Sequence, residues 1–510
     1  MSAEGDDAAW TPHASWRLAN RLRRLRHWVC SRASKSGDYL VRQCQRLIEL
    51  KPLYVERVSG CDLAYHVIAV NNVGMSVPIR VVRALPWVAR SWLGRIVRWF
   101  EPLPSREHER RRFKAYEKRL AEMMRRIKAC GKSVVIIVHG GLEDPRHSVK
   151  DSARVVEAMH GECYPIFVIW DSWLSAPPEH LLLIRSGHYA ATGPLTWLFV
   201  LLGYFLAGLG LLPQTVFSQI RSLYVGTRLS PDPGTRIANA VRGAPAGVRV
   251  APATYHPRGL KSWWTPLRGL GWLLQFPLRA LAAVFIDTLA PPTWQNLRRR
   301  ARAMFRAPQE FEAIVAGRWA VPPGSTYASA QGAMAVFAEH LVRAIGKNEE
   351  IKVTLIAHSL GAMIANEFIQ YAGDGLAYDS IVYMAPACSV RAFSDAVVPA
   401  LDRNRGAQAY VLALHPKVEA NEKTLHGFLP RGSVLEWLER FLDPPPAHLD
   451  RVLGKFDNVM RALHIFPPGV RDRIHVKAFS FDATDLRKPY KHTHFNDPDL
   501  RFWEKSFWWP

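Results

Sequence analysis

A serine in a tight turn between a strand and a helix is a place to look for covalent chemistry, because such a turn lifts its hydroxyl above the sheet. Ile356-Ala357-His358-Ser359-Leu360-Gly361-Ala362 has this form. An apolar strand pattern runs into Ala357, Ser359 takes the turn, and a helical pattern starts at Leu360. Ala357 and Gly361 are small enough for the backbone to close around the serine. The Leu360 amide, at the start of the helix, is set to donate to an oxyanion on the attacked carbon. A second amide must come from another loop that approaches closely. Val138-His139-Gly140-Gly141 ends an earlier strand, so Gly140 and Gly141 are the candidate donors beside Leu360. His139 reads as structural. The competing reading of the serine is an ordinary helix N-cap.

A serine hydroxyl needs a base, and the base needs a carboxylate to orient it. In sheets with this type of elbow the chain order is Ser, acid, His. The expected base is His492 in Lys491-His492-Thr493-His494-Phe495, with His494 as its competitor. The expected acid follows the strand 409–414, where Glu419 is preferred over Glu422 as nearer the strand end. No third ligand accompanies the two histidines, so no metal is expected, and no motif calls for a cofactor.

The elements that must hold these residues alternate. Strand patterns at 134–138, 164–170, 351–357, 380–384, 409–414 and 473–479 are separated by helical patterns. Five consecutive β-branched residues from Val134 to Val138 suit a strand buried on both faces. The expected class is α/β, a mostly parallel central sheet with a large apolar helical insertion and a basic helical N-terminal extension. The expected divisions are a basic amphipathic N-terminal helical region over 1–105, a catalytic domain over 106–173 and 330–510, and an apolar, Arg-rich insertion over 174–329.

Composition narrows the partners. The chain has 510 residues, with 67 Lys plus Arg against 44 Asp plus Glu, a formal charge of +23. That excludes an acidic solvating protein and points to something anionic. No phosphate loop, zinc pattern or RNA-binding aromatic motif favours nucleic acid. Arginines alternate with Leu and Trp over 17–29 and again over 79–100, a texture suited to amphipathic helices on an anionic membrane surface. The six cysteines form no CxxC pair, and the acidic, polar N-terminus lacks the pattern of a secretory signal. The expected location is membrane-associated, on the cytoplasmic side.

The insertion poses a topological question. Pro194–Pro213 is almost continuously apolar and long enough for a transmembrane helix, and Trp263–Leu289 is a second apolar stretch. Arg279 near the middle of the second stretch would cost about 2.5–3.5 kcal/mol in a bilayer core. The strands before and after the insertion must share one side of any membrane. Three arrangements therefore stay open: both stretches dip into one leaflet, they form a spanning hairpin, or they cap the active site in water.

The segments VVIIVHGG, YPIFVIWDSW, IKVTLIAHSLGAMIANEFI, SIVYMAPA and KHTHF together resemble the α/β-hydrolase superfamily of serine esterases and lipases. The resemblance covers about residues 130–173 and 330–505 and is strongest to uncharacterised bacterial hydrolases whose strand ends in Trp-acid/Pro-Ser, here Trp170-Asp171-Ser172. In such relatives the catalytic His is followed by a small residue, any residue and Phe. His492-Thr493-His494-Phe495 fits that frame. The resemblance implies an ester or lipid substrate and a Ser359–His492–Glu419 triad, with a catalytically inactive membrane adaptor as the alternative. The early insertion departs from the family, whose lids usually enter later.

Overall fold

The computed structural model describes residues 62–71, 74–82, 106–141, 145–172, 233–251, 291–306, 331–346, 350–422, 432–479 and 488–509, with the strand 53–56 and short pieces between 184 and 217. In chain order the elements used below are β1 (Leu53–Glu56), β2 (Val67–Val70), β3 (Ile79–Val82), α1 (Arg106–Cys130), β4 (Val134–Val138), α2 (Pro145–Ala158), β5 (Tyr164–Trp170), α3 (Pro233–Arg242), β6 (Arg249–Ala251), α4 (291–303), α5 (Ala333–Ile345), β7 (Val353–His358), α6 (Gly361–Ala372), β8 (Tyr378–Met384), α7 (Val390–Arg403), β9 (Gln408–Leu414), α8 (Pro416–Asn421) and β10 (Ile474–Phe479).

Eight strands form one sheet in the order β2-β5-β4-β7-β8-β9-β10-β6. Every neighbouring pair in it is parallel. The architecture is α/β. All residues of β4, β5 and β7 are buried, as expected for strands covered by helices on both faces. Helix α6 lies directly after β7 and buries Ile364, Ala365, Phe368 and Ile369. Phe337 of α5 stacks on Phe368, with ring centroids 6.0 Å apart.

Two expectations need correction. Residues 79–82 are a strand, not the start of an amphipathic helix: β3 pairs in parallel with β1. Ile79-Arg80-Val81-Val82 is β-branched at three of four positions, which favours a pleated surface over a helix. The N-terminal region also contributes β2, an edge strand of the main sheet. Within 174–329, two pieces belong to the main body and not to a separate unit. Strand β6 extends the sheet beside β10, and α4 buries Trp294, Leu297 and Ala301 in the core. The basic stretch 17–29, most of 79–100 and Trp263–Leu289 lie outside the described residues.

Candidate active site

The chain order reverses across the β4/β7 pair: β5 flanks β4 on one side and β8 flanks β7 on the other. In an open parallel sheet such a reversal opens a crevice beyond the carboxyl ends of the strands. Val138 stands opposite Ala357 in the register, so His139-Gly140-Gly141 and His358-Ser359-Leu360 leave the sheet side by side.

Ser359 has φ +51°, a left-handed conformation that costs an L-residue roughly 1–2 kcal/mol. Hydrogen bonds hold it there. Its N–H donates to the Met384 carbonyl (2.9 Å), and its own carbonyl accepts from the N–H groups of Ala387 (2.9 Å) and Ala362 (3.1 Å). The two loops press together so closely that side chains are excluded. A methyl group at Gly361 would stand 2.6 Å from the Val138 carbonyl oxygen, and one at Gly140 would stand 2.7 Å from His358 Nδ1. At Gly141 it would collide with the buried Leu360 side chain. The expected donors Gly140, Gly141 and Leu360 are thus brought together around Ser359.

His139 braces this loop. The Trp170 N–H can only donate, so His139 Nε2 accepts from it (3.0 Å), which leaves the ring proton on Nδ1, bonded to the Gly140 carbonyl. Burial pushes the imidazole down to about 4, so it stays neutral. The Trp170 indole N–H donates back to the His139 carbonyl (3.3 Å). Arg300 of α4 donates to the Asp171 carbonyl (2.7 Å). The Trp-Asp-Ser segment therefore works as a clamp joining β4, β5 and the end of the insertion.

Ser359 and His492 are both 3 % exposed, and Ser359 Oγ lies 2.7 Å from His492 Nε2. Burial, with the nearby His358 as a smaller cause, holds the His492 imidazole well below its ordinary pKa. The ring is then neutral, and in the tautomer with its proton on Nδ1 the Nε2 atom accepts from the serine hydroxyl. His492 Nδ1 has no hydrogen-bond partner among the described residues. His494 turns elsewhere and packs edge-on against Tyr490, with centroids 4.2 Å apart.

The expected acid, Glu419, is bonded away from His492. Its carboxyl group accepts from Ser433 Oγ (2.9 Å), and burial raises it to about 8. Glu419 lies inside the short helix α8, facing the turn at Ser433, whose hydroxyl also caps the following helix by accepting from Leu435 and Glu436. Glu422 is the carboxylate beside His492. Its Oε2 accepts the backbone N–H of His492 (3.1 Å), just past the end of α8 where the chain can turn back.

One contributor escaped the motif reading. His358 Nε2 donates to the His492 carbonyl (3.0 Å), and the two rings are 5.2 Å apart. It ties the His492 loop directly to the turn at Ser359. The only trace of this in the sequence is a histidine ending a mostly apolar strand.

No family model matches the chain, and no curated protein or solved structure matches it either.

Proposed function

We propose that the protein is a serine hydrolase of the α/β-hydrolase fold that cleaves carboxylic esters. The observation that carries this reading is the 2.7 Å contact between Ser359 Oγ and His492 Nε2, made across 133 residues of chain. The left-handed backbone of Ser359 and the side-chain-free approach of Gly140 and Gly141 support it. Ser359 Oγ attacks the ester carbonyl while His492 Nε2 takes its proton. The amides of Leu360 and Gly141, with Gly140 beside them, receive the charge on the carbonyl oxygen. His492 then returns the proton to the departing alkoxide, leaving an acyl-serine. Water, deprotonated by the same imidazole, releases the acid and regenerates the serine. Glu422 replaces Glu419 as the carboxylate that orients and balances the imidazolium.

Fluorophosphonate labelling of the full chain tests this, followed by a panel of esters of rising chain length. The expected result is labelling and turnover by the native protein and neither by Ser359→Ala. A folded native protein that takes no label, or labelling that survives in Ser359→Ala, overturns it.

The alternative is an adaptor that has kept the fold without turnover. The near-complete burial of Ser359 favours it. Absence of label together with a partner captured in a Ser359-independent way would support this second reading.

A further inference from the structure

We propose that the surface carrying Leu202, Leu206, Leu209 and Phe217 docks in the plane of one leaflet of an anionic lipid bilayer, without crossing it. These side chains are 48, 56, 45 and 66 % exposed, and among the described residues only Ile465 is a comparably exposed large hydrophobe. Leu206 and Leu209 stand on the helical stretch 206–210 at i and i+3, which places them on one face. Methyl groups added at Gly203 or Gly210 would meet nothing within 4 Å. From Tyr189 to Phe217 the sequence holds no charged residue, and Arg185 and Arg221 flank it. An uncovered apolar face of this kind marks an interaction surface.

Charge selects the occupant. A second copy would bring another formal +23 to the contact, whereas the headgroups of an anionic leaflet attract it. Topology selects the depth. Strands β5 and β6 belong to the same sheet, so the chain between residues 170 and 249 starts and ends on one side of any membrane. A single crossing there is impossible. Two crossings need about 20 apolar residues each, more than Tyr189–Phe217 contains. Trp263–Leu289 cannot be the return span, because β6 precedes it and is already back in the sheet. The spanning hairpin left open by the sequence is thereby excluded, and an in-plane anchor remains. This proposal stands apart from the hydrolase reading.

Flotation of the full chain with phosphatidylcholine vesicles, with and without phosphatidylglycerol, tests it. Binding to the anionic vesicles is expected, weakening as salt screens the charges. Leu206→Glu with Leu209→Glu should lower affinity about a hundredfold, at roughly tenfold per leucine. Both side chains are exposed, so an unchanged Tm and unchanged fluorophosphonate labelling separate this loss from misfolding or a failed active site. A native chain that does not float, or a double variant that floats equally well, overturns the proposal. A native oligomer dissolved by the same double substitution also overturns it, by giving the face to a second copy. A dye on Leu206→Cys should be quenched more by lipids labelled near the headgroup than by lipids labelled at the chain end; the reverse overturns the in-plane depth.

Discussion

Glu419 and Glu422 follow the same strand, three residues apart, and burial raises the pKa of both carboxyl groups. Their surroundings differ. Around Glu419 the polar groups satisfy one another: Ser433 bonds the carboxyl group, while Lys455 reaches Glu436 (2.8 Å) and Glu439 (2.9 Å) nearby. Asn458 and the Val452 N–H complete the contacts of Glu439. Around Glu422 the accounts stay open. His492 holds a buried ring nitrogen without a partner, and Ser359 sits in a left-handed backbone. A satisfied polar cluster stabilises one geometry. Backbone strain and unpaired polar atoms are features that functional sites tend to collect. If the proposed hydrolysis holds, the cluster with fewer bonds is the one that serves it.

The sharpest way to break this contrast is to remove the base. His492→Ala should lower kcat for any ester substrate by about 10⁴-fold or more with the fold intact, as steady-state kinetics and thermal melting would show. The paired test on the carboxylates comes next. Glu422→Gln should cost about 10²–10⁴-fold in kcat, the range expected when an imidazole loses its orienting partner. Glu419→Gln should cost less than about tenfold, because the amide still accepts from Ser433. Equal losses would erase the distinction between the two clusters.

Gly361→Ala probes the backbone approach that both loops need. Crowding the Val138 carbonyl should destabilise the protein by about 1–3 kcal/mol, read as a lowered midpoint in urea, and should reduce probe labelling at Ser359. The two pH dependences are smaller effects with opposite limbs. Activity requires neutral His492, whose pKa is held low, so kcat/KM should persist as pH falls below 6.5 and decline only well under it. Glu419 works through stability. Its folded pKa of about 8 lies above the unfolded value near 4.3, so the folded state binds its proton more tightly. That contribution is present at low pH and is lost as pH rises from about 4.3 through 8. Glu419→Gln should flatten the fall of Tm over that window, and an unchanged slope would remove Glu419 from the account.

Much of the site could be read along the chain because its signals are local. A strand running into a serine turn and then a helix, and two glycines after a β-branched strand, need only a few residues to be recognised. The preference for His492 over His494 draws on the resemblance, whose frame places a Phe three residues on; that residue, Phe495, is buried against His358. The choice between Glu419 and Glu422 could not be read that way. Nearness to the strand end favours Glu419, but the helical turn of α8 rotates that carboxyl group toward Ser433, a partner 14 residues further on. The role of His358 was equally hidden, since its acceptor lies 134 residues away.

The N-terminal region and the insertion divide in the same manner. Arginine and tryptophan periodicity suggests helices up to residue 100, yet the parallel pairing of β1 with β3 claims Ile79–Val82 for a strand. Local pattern was sufficient for the α/β class, for the strand-turn-helix setting of Ser359 and for the uncharged stretch, because each depends on residues close in sequence. Long-range packing alone decided which glutamate stands beside His492, the brace between His139 and Trp170, and the return of the chain to the sheet at β6 before the second apolar stretch begins. Those outcomes depend on which distant segments share a buried contact, and one-dimensional periodicity carries no term for that.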